Sequence, residues 1–315
     1  MAKKNRTKPS TGAGAGTLAP GEVGPRQPCP CGSGKRFKNC HGASSGAAPY
    51  VARPFAGMAA EAELVALREL VPAATAPLRL VGEHADRTVT LATLLPGGAP
   101  ALVREDGEVM LGLQVQRDSG DVSRDLAVAL LAALEAAPGS VVEVPASPGV
   151  GPRLGDLLAD EPLEVTVHDG FAFWVAEDEP DPGVAAAIEA ADDVIWPTRR
   201  LPDHGAAYWT DVGSKEHLRW VMGDDEDALL DALARLHAAD EDRLVEGGRL
   251  VGMFRAHGVL APVWDLPLGT GADVLAEPAT TLRTRLEELM AENAPLTASE
   301  RSARAGLANR QVTIR

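Results

Sequence analysis

Hydrophobic positions along the chain follow two periods, one helical and one alternating, and the change between them marks out the elements. Leu64, Leu67 and Val71 recur at helical spacing within residues 58–71, and Pro72 closes the run, which predicts a first helix. Beyond it the period becomes two. Val109, Leu111, Leu113 and Val115 alternate with polar or small residues. They follow Asp106-Gly107, a dipeptide suited to the positive φ of a tight hairpin turn. Leu163, Val165 and Val167 alternate up to Asp169-Gly170, and Phe171, Phe173 and Val175 alternate after it, predicting a second hairpin. A third turn, Val212-Gly213-Ser214, separates residues 207–211 from 217–222, and a fourth, His257-Gly258, separates 250–256 from 259–266.

A helical pattern follows each hairpin. Val122, Leu126, Leu130 and Leu134 repeat every four residues, residues 183–193 are Ala-rich, and Leu229, Leu230, Leu233 and Leu236 form a stripe. Asp224 is the expected N-cap of that third helix. Pro278 is expected at the first position of the fourth, with Leu282, Leu286 and Leu289 on one face. Thr297-Ala298-Ser299-Glu300 reads as a capping box opening a short helix, and residues 309–315 as a frayed tail or an edge strand. The unit is thus strand–strand–helix, about four times. The turns near 169, 213 and 257 are spaced 44 residues apart, which fits either an internal duplication of a ββα unit or a single mixed fold with coincidental spacing. Either way the expected class is α+β, with antiparallel sheets and helices on one face.

Charge divides the chain. Residues 1–42 carry eight Lys or Arg and one acid, a balance of +7, which leaves 22 basic against 44 acidic residues, or −22, in the remainder. A body so acidic does not suit phosphate contacts, so no DNA partner is expected for it. No apolar run approaches a membrane span, and the basic start lacks the apolar stretch of a secretory signal; a cytoplasmic protein is expected. The domain reading is a disordered basic tail over 1–24, a cysteine-bearing module over 25–42, a flexible linker over 43–52 and an α+β body over 53–315, with lobes at 53–195 and 196–315.

The sharpest chemistry lies in the module. Cys29, Cys31, Cys40 and His41 supply three thiolates and an imidazole, the donor set of a closed tetrahedral zinc site. A Cys-x-Cys pair clips one side of the ion, Gly32-Ser33-Gly34 lets the backbone turn tightly, and the adjacent Cys40 and His41 close the site. Lys35, Arg36 and Lys38 offset the negative charge of three thiolates around Zn2+, and Phe37 covers the cluster. All three cysteines of the chain fall within twelve residues, which suits a metal better than a disulfide framework. A redox pair fits poorly, because the Cys-x-x-Cys arrangement before a helix is missing. A phosphate-binding loop at Gly32-Ser33-Gly34-Lys35 fails too, since Cys29 and Arg36 stand where Gly and Ser or Thr are required.

Residues 28–42 resemble the SEC-C zinc motif, known from the C-terminal tail of the SecA translocase ATPase and from many other bacterial proteins. Cys-Pro-Cys-Gly-Ser-Gly, the Lys-Arg-aromatic-Lys run and the Cys-His pair stand in order, with Phe37 where the family usually has Tyr. The resemblance implies zinc binding and docking to a protein partner or the ribosome, with Lys35, Arg36, Phe37 and Lys38 as expected partner contacts. The body, through Arg53-Pro54-Phe55, Leu67-Arg68-Glu69-Leu70-Val71-Pro72, His217-Leu218-Arg219-Trp220-Val221-Met222 and Val263-Trp264-Asp265-Leu266-Pro267, is similar to an actinobacterial family of unknown function, which brings no activity with it.

Within the body, His168 and His257 sit at predicted turns. An enzyme would use one of them as a general base with Asp169 or Asp265; the plainer reading is surface turn chemistry. His217 is expected to be solvated, and His237 to sit near a helix C-terminus, where its charge suits the dipole. Trp174, Trp209, Trp220 and Trp264 are expected on strands, packed between sheet and helices. Gly269-Thr270-Gly271 resembles a nucleotide loop only superficially, since Val274 stands where a third Gly belongs. The composite expectation is a non-enzymatic zinc-binding docking protein. An enzyme with its site in the body and an RNA or ribosome binder acting through the basic head are the alternatives.

Overall fold

The computed structural model describes residues 23–24, 26–29, 36–39, 50–115, 119–145, 148–175 and 182–313. The body is α+β, built on two six-stranded, mostly antiparallel sheets. Helix α1 (Glu61–Glu69) leads into β1 (Ala74–Leu78), β2 (Val89–Ala92), β3 (Ala101–Val103) and β4 (Val109–Gly112). Helix α2 (Val122–Glu135), β5 (Val141–Val142), the single turn α3 (Leu154–Leu157) and β6 (Thr166–Val167) complete the first sheet, ordered β5-β3-β4-β2-β1-β6. Then come α4 (Pro182–Asp192), β7 (Thr198–Arg200), β8 (Ala207–Asp211), β9 (Glu216–Trp220), α5 (Glu226–Ala239), β10 (Arg249–Ala256) and β11 (Val259–Leu266). Helices α6 (Ala276–Met290) and α7 (Ala298–Asn309) precede β12 (Gln311–Thr313), and the second sheet runs β12-β10-β11-β9-β8-β7.

The two sheets repeat an order but not a direction. Each holds two hairpins side by side, β1-β2-β4-β3 and β8-β9-β11-β10, yet β2 runs parallel to β4 while β9 runs antiparallel to β11. The connection explains the difference. Between β2 and β3 the chain turns back within residues 93–100, whereas between β9 and β10 helix α5 returns it to the starting edge, so the second hairpin enters with the opposite polarity. The ββα pattern holds for β3-β4-α2, β8-β9-α5 and β10-β11-α6, the last two around turns 44 residues apart at 213 and 257.

The predicted hairpin at Asp169-Gly170 does not form. Residues 166–167 make only a short edge pairing with β1, and Phe171, Phe173 and Trp174 fold into a 3₁₀ turn over Ala172–Trp174. Aromatic burial outweighs alternation here. The Phe171 and Trp174 rings stack at 4.7 Å, Trp174 Nε1 donates to Leu94 O at 2.8 Å, and the cluster closes against Leu94 and Ile188 of α4. Three smaller differences have equally local causes. Asp225 caps α5, accepting from Ala228 N at 3.0 Å, while Asp224 is drawn into a forked ion pair with Arg283. Pro278 is the third residue of α6, because a 3₁₀ turn at Asp273–Leu275 leads into the helix. The strand after Asp106-Gly107 stops at Gly112, leaving Leu113 and Val115 beyond it.

Helix α1 joins the two sheets. Its Leu64, Val65, Ala66 and Leu67 are buried in a cluster that holds Val89, Leu91, Val109 and Leu111 of the first sheet, and Tyr208, Val221, Ala256 and Val259 from in and around the second. Two of its carboxylates are buried as well, and both are paired. Glu63 Oε1 accepts from Arg200 Nε (2.9 Å) and Nη2 (2.7 Å), and Glu63 Oε2 from Tyr208 Oη. Glu61 holds Arg53, whose Nη2 also donates to Gly223 O at 2.9 Å. A charge buried in this way survives only when its partners are fixed. The other face of the second sheet carries Leu218, Trp220, Leu260 and Trp264 against α5, α6 and α7. Capping of α7 is as expected: Thr297 and Glu300 form a reciprocal capping box.

Candidate metal centre

The module is a chain reversal. Pro28 and Arg36 form an antiparallel bridge, Phe37 N donates to Gln27 O at 2.8 Å, and a 3₁₀ turn follows at Phe37–Asn39. The side-chain amide of Gln27 accepts from Gly24 N at 2.8 Å, which fixes the approach to the first cysteine. Cys29 sits at the reversal and is 5% exposed. Cys31, Cys40 and His41, and with them Lys35, lie outside the described residues. Among the described residues no group of three or more His, Cys, Asp or Glu could hold a metal ion. The donor chemistry of the four residues fits a metal, since soft thiolates and an imidazole match zinc, and Cys29 is buried next to the Pro28–Arg36 bridge.

The basic run is divided by side-chain direction. Phe37 turns inward, 5% exposed, with its ring 6.4 Å from that of Tyr50, whereas Arg36 and Lys38 are exposed. Of the expected partner contacts that are described, the surface offered outward is therefore carried by the two charges, and Phe37 packs the module on the start of the body. Just beyond Tyr50, Val51 N donates to Gly120 O at 2.7 Å.

The catalytic pairings considered from sequence are not assembled. His257 sits at one end of the β10–β11 hairpin and Asp265 towards the other, opposite Arg249. His257 Nε2 instead meets Glu69 Oε1 at 2.8 Å, with a side chain only 10% exposed, so the surface-turn reading is corrected: a left-handed turn residue (φ +46°) is used to clamp the hairpin onto α1. His168 contacts Thr75 Oγ1 at 2.8 Å and Asp169 is engaged by Arg199 at 2.7 Å. Burial pushes the His168 imidazole below its ordinary range, against the pull of Asp169. His217 is not solvated: its Nδ1 lies 3.1 Å from Asp265, which also takes Lys215 at 2.8 Å. Burial lowers its pKa too, and Asp265 only partly opposes this. His237 stands in the last turn of α5 as expected and bonds Asp242 at 2.6 Å.

Gly269-Thr270-Gly271 does form an anion cradle, but its anion is internal. Gly269 N donates to Glu216 Oε1 at 2.6 Å, and Gly271 N and Trp209 Nε1 donate to Oε2 at 2.8 and 2.7 Å. Burial drives the Glu216 carboxyl pKa up, yet the bonds from Gly271, Trp209 and Gly269 prevail and hold it below the usual range. No sequence signal short of the fold links Glu216 to a loop fifty residues away.

The architecture and the module together define an α+β protein with an N-terminal SEC-C motif, which is matched at residues 26–43. A family of unknown function, DUF5926, is matched over residues 54–315, and the chain belongs to that family. No curated protein and no solved structure matches it. SEC-C is a metal-binding motif. Among the described residues no helix is long and apolar enough to cross a membrane.

Proposed function

We propose that the protein is a zinc-dependent docking protein. Cys29, Cys31, Cys40 and His41 hold the ion, and Lys35, Arg36 and Lys38 present a basic knob to an acidic surface, either of a partner protein or of the ribosome. The observation that supports this reading is the donor set itself: the chain's three cysteines and an adjacent histidine fall within the SEC-C match, and Cys29 is buried next to the Pro28–Arg36 bridge. Zinc supplies no reaction here; it fixes the fold of a peptide with too few apolar residues to hold its own shape, a role worth about 10–16 kcal/mol in small zinc modules. The basic charge of the head suits an acidic surface and gives salt-sensitive association.

Tagged wild-type protein and the triple variant Lys35→Glu, Arg36→Glu, Lys38→Glu, compared by capture from lysate and by ribosome pelleting at stepped salt, test the docking role. Loss of one set of partners in the variant, and weakening of the same set by salt in the wild type, is the expected result. Identical capture by both proteins rules out the basic knob as the docking surface.

A further inference from the structure

A cavity of about 470 Å³ opens in the first sheet's half of the body, between the 96–100 loop, helix α2 and the edge strand β5. Its size falls in the range of small-molecule sites, roughly 300–1,000 Å³. Pro100, Leu126, Ala129 and Val142 give it an apolar wall. The class of ligand it suits follows from which charges that ligand can reach.

Among the described residues, three charged side chains border the cavity: Arg68, Asp125 and Glu143. The cation is answered within the fold. Arg68 has a side chain only 10% exposed, its Nη1 donates to Leu113 O, and its solvent-shielded Nε stands 3.4 Å from Glu69 Oε1. The carboxylates are more accessible. Glu143 is exposed, one residue beyond β5, and Asp125 is half-buried on α2, its Oδ2 accepting from Ser119 N at 2.9 Å. A ligand therefore meets an apolar surface under a negative potential. The far field has the same sign, with 44 acidic against 22 basic residues in the chain beyond residue 42.

Charge opposes an anion here, and a neutral apolar molecule gains nothing from the carboxylates. An organic cation uses both features of the lining, since hydrogen bonds between ionised partners are roughly twice as strong as neutral ones. Among the described residues that border the cavity there is no aromatic ring to cage a quaternary ammonium, so the charged end must be one that donates hydrogen bonds. From this we infer that the cavity is a binding site for a primary amine with an apolar body. Its ammonium lies on the Glu143 carboxylate and in the field of Asp125, and its body against α2 and β5. The site is separate from the SEC-C module and independent of its metal.

Full-length protein titrated by calorimetry with 3-phenylpropylamine, octylamine and tryptamine, alongside 3-phenylpropanol, 3-phenylpropionate and trimethyl(3-phenylpropyl)ammonium, tests the assignment. At least one primary amine is expected to saturate one site, about tenfold tighter than the alcohol, with the trimethylammonium ion nearer the alcohol and the carboxylate weakest. Glu143→Gln, at an exposed position, should weaken the amine about threefold to fivefold and leave the alcohol unchanged. Val128→Phe, which fills the cavity from a half-buried position on α2, should abolish binding. No saturable binding by any of the three amines, equal affinity for amine and alcohol, a trimethylammonium ion or carboxylate that binds as tightly as the amine, an unchanged amine affinity in Glu143→Gln, or retention of binding in Val128→Phe would overturn the proposal.

Discussion

Replacing Glu216 by Gln removes one negative charge and almost nothing else, so its effect isolates the cradle that ties the loop after β11 to β9. The carboxylate accepts three hydrogen bonds through two oxygens: Gly269 N on Oε1, and Gly271 N with Trp209 Nε1 on Oε2. In Gln one oxygen becomes an NH2 group, which must face at least one of these donors. The least damaging orientation keeps the oxygen on Gly271 and Trp209 and opposes the amide to Gly269. One charge-assisted bond is then lost and the other two become neutral, so the expected loss is about 2–4 kcal/mol, given roughly 1.5–3 kcal/mol for a bond to a charged group. For a body of this size that lowers the melting temperature by roughly 4–12 °C. Urea unfolding followed by tryptophan fluorescence measures it. The pH dependence supplies a second sign. Because the folded carboxyl is held below its ordinary value of 4.5, the unfolded chain takes up the proton first as pH falls. The stabilisation is fully present above pH 4.5 and is lost as pH drops through the folded value, so wild type and variant should converge in acid. A variant within about 0.5 kcal/mol of wild type at neutral pH, the range of an ordinary surface change, or a gap that does not narrow in acid, refutes the cradle as a stabilising element.

Two further outcomes follow from the joint between the sheets. Burial, reinforced by the Glu63 carboxylate, pushes the Tyr208 phenol far above its ordinary 10.0, so ultraviolet titration should show no phenolate at 208 until the body unfolds; the unfolded chain releases that proton above pH 10.0, and stability should fall as pH rises beyond it. Two phenolates appearing before unfolding, from the chain's two tyrosines, would contradict this packing. Gly258→Ala should destabilise by about 1 kcal/mol or more, since φ is +80° and the new Cβ would lie 2.7 Å from Arg53 Cβ and 3.0 Å from Ala52 O; an unchanged urea midpoint would mean that the hairpin turn does not press on residues 52–53 as described.

Hairpins closed by left-handed turns could be read from the chain, but only where the flanking residues had a sheet to join. Asp106-Gly107 and His257-Gly258 both close real hairpins. Asp169-Gly170 carries equally good turn residues and fails, because Phe171, Phe173 and Trp174 gain more by burial behind the first sheet than by pairing. Strand β1, Ala-Thr-Ala-Pro-Leu, escaped notice since small residues and a proline give no alternation, and its strand state is imposed by β2 and β6. Leu64, Leu67 and Val71 announce helix α1, but not the burial of Glu61 and Glu63; their partners Arg53, Arg200 and Tyr208 lie 8 to 145 residues away, and no local pattern announces such pairs. The metal donors stand at the opposite extreme. As proposed ligands they are named by residue type and spacing alone, whereas the Glu216 cradle exists only after β9 and the loop following β11 have come together.

The account depends most on one ion. Full-length protein purified without added metal or chelator should carry one zinc per chain by native mass spectrometry and elemental analysis. Cys40→Ser should lose it, while the body's melting, resting on the two sheets and α1, stays nearly unchanged. A wild-type protein without bound zinc, its three thiols reacting freely, would contradict the account at its base.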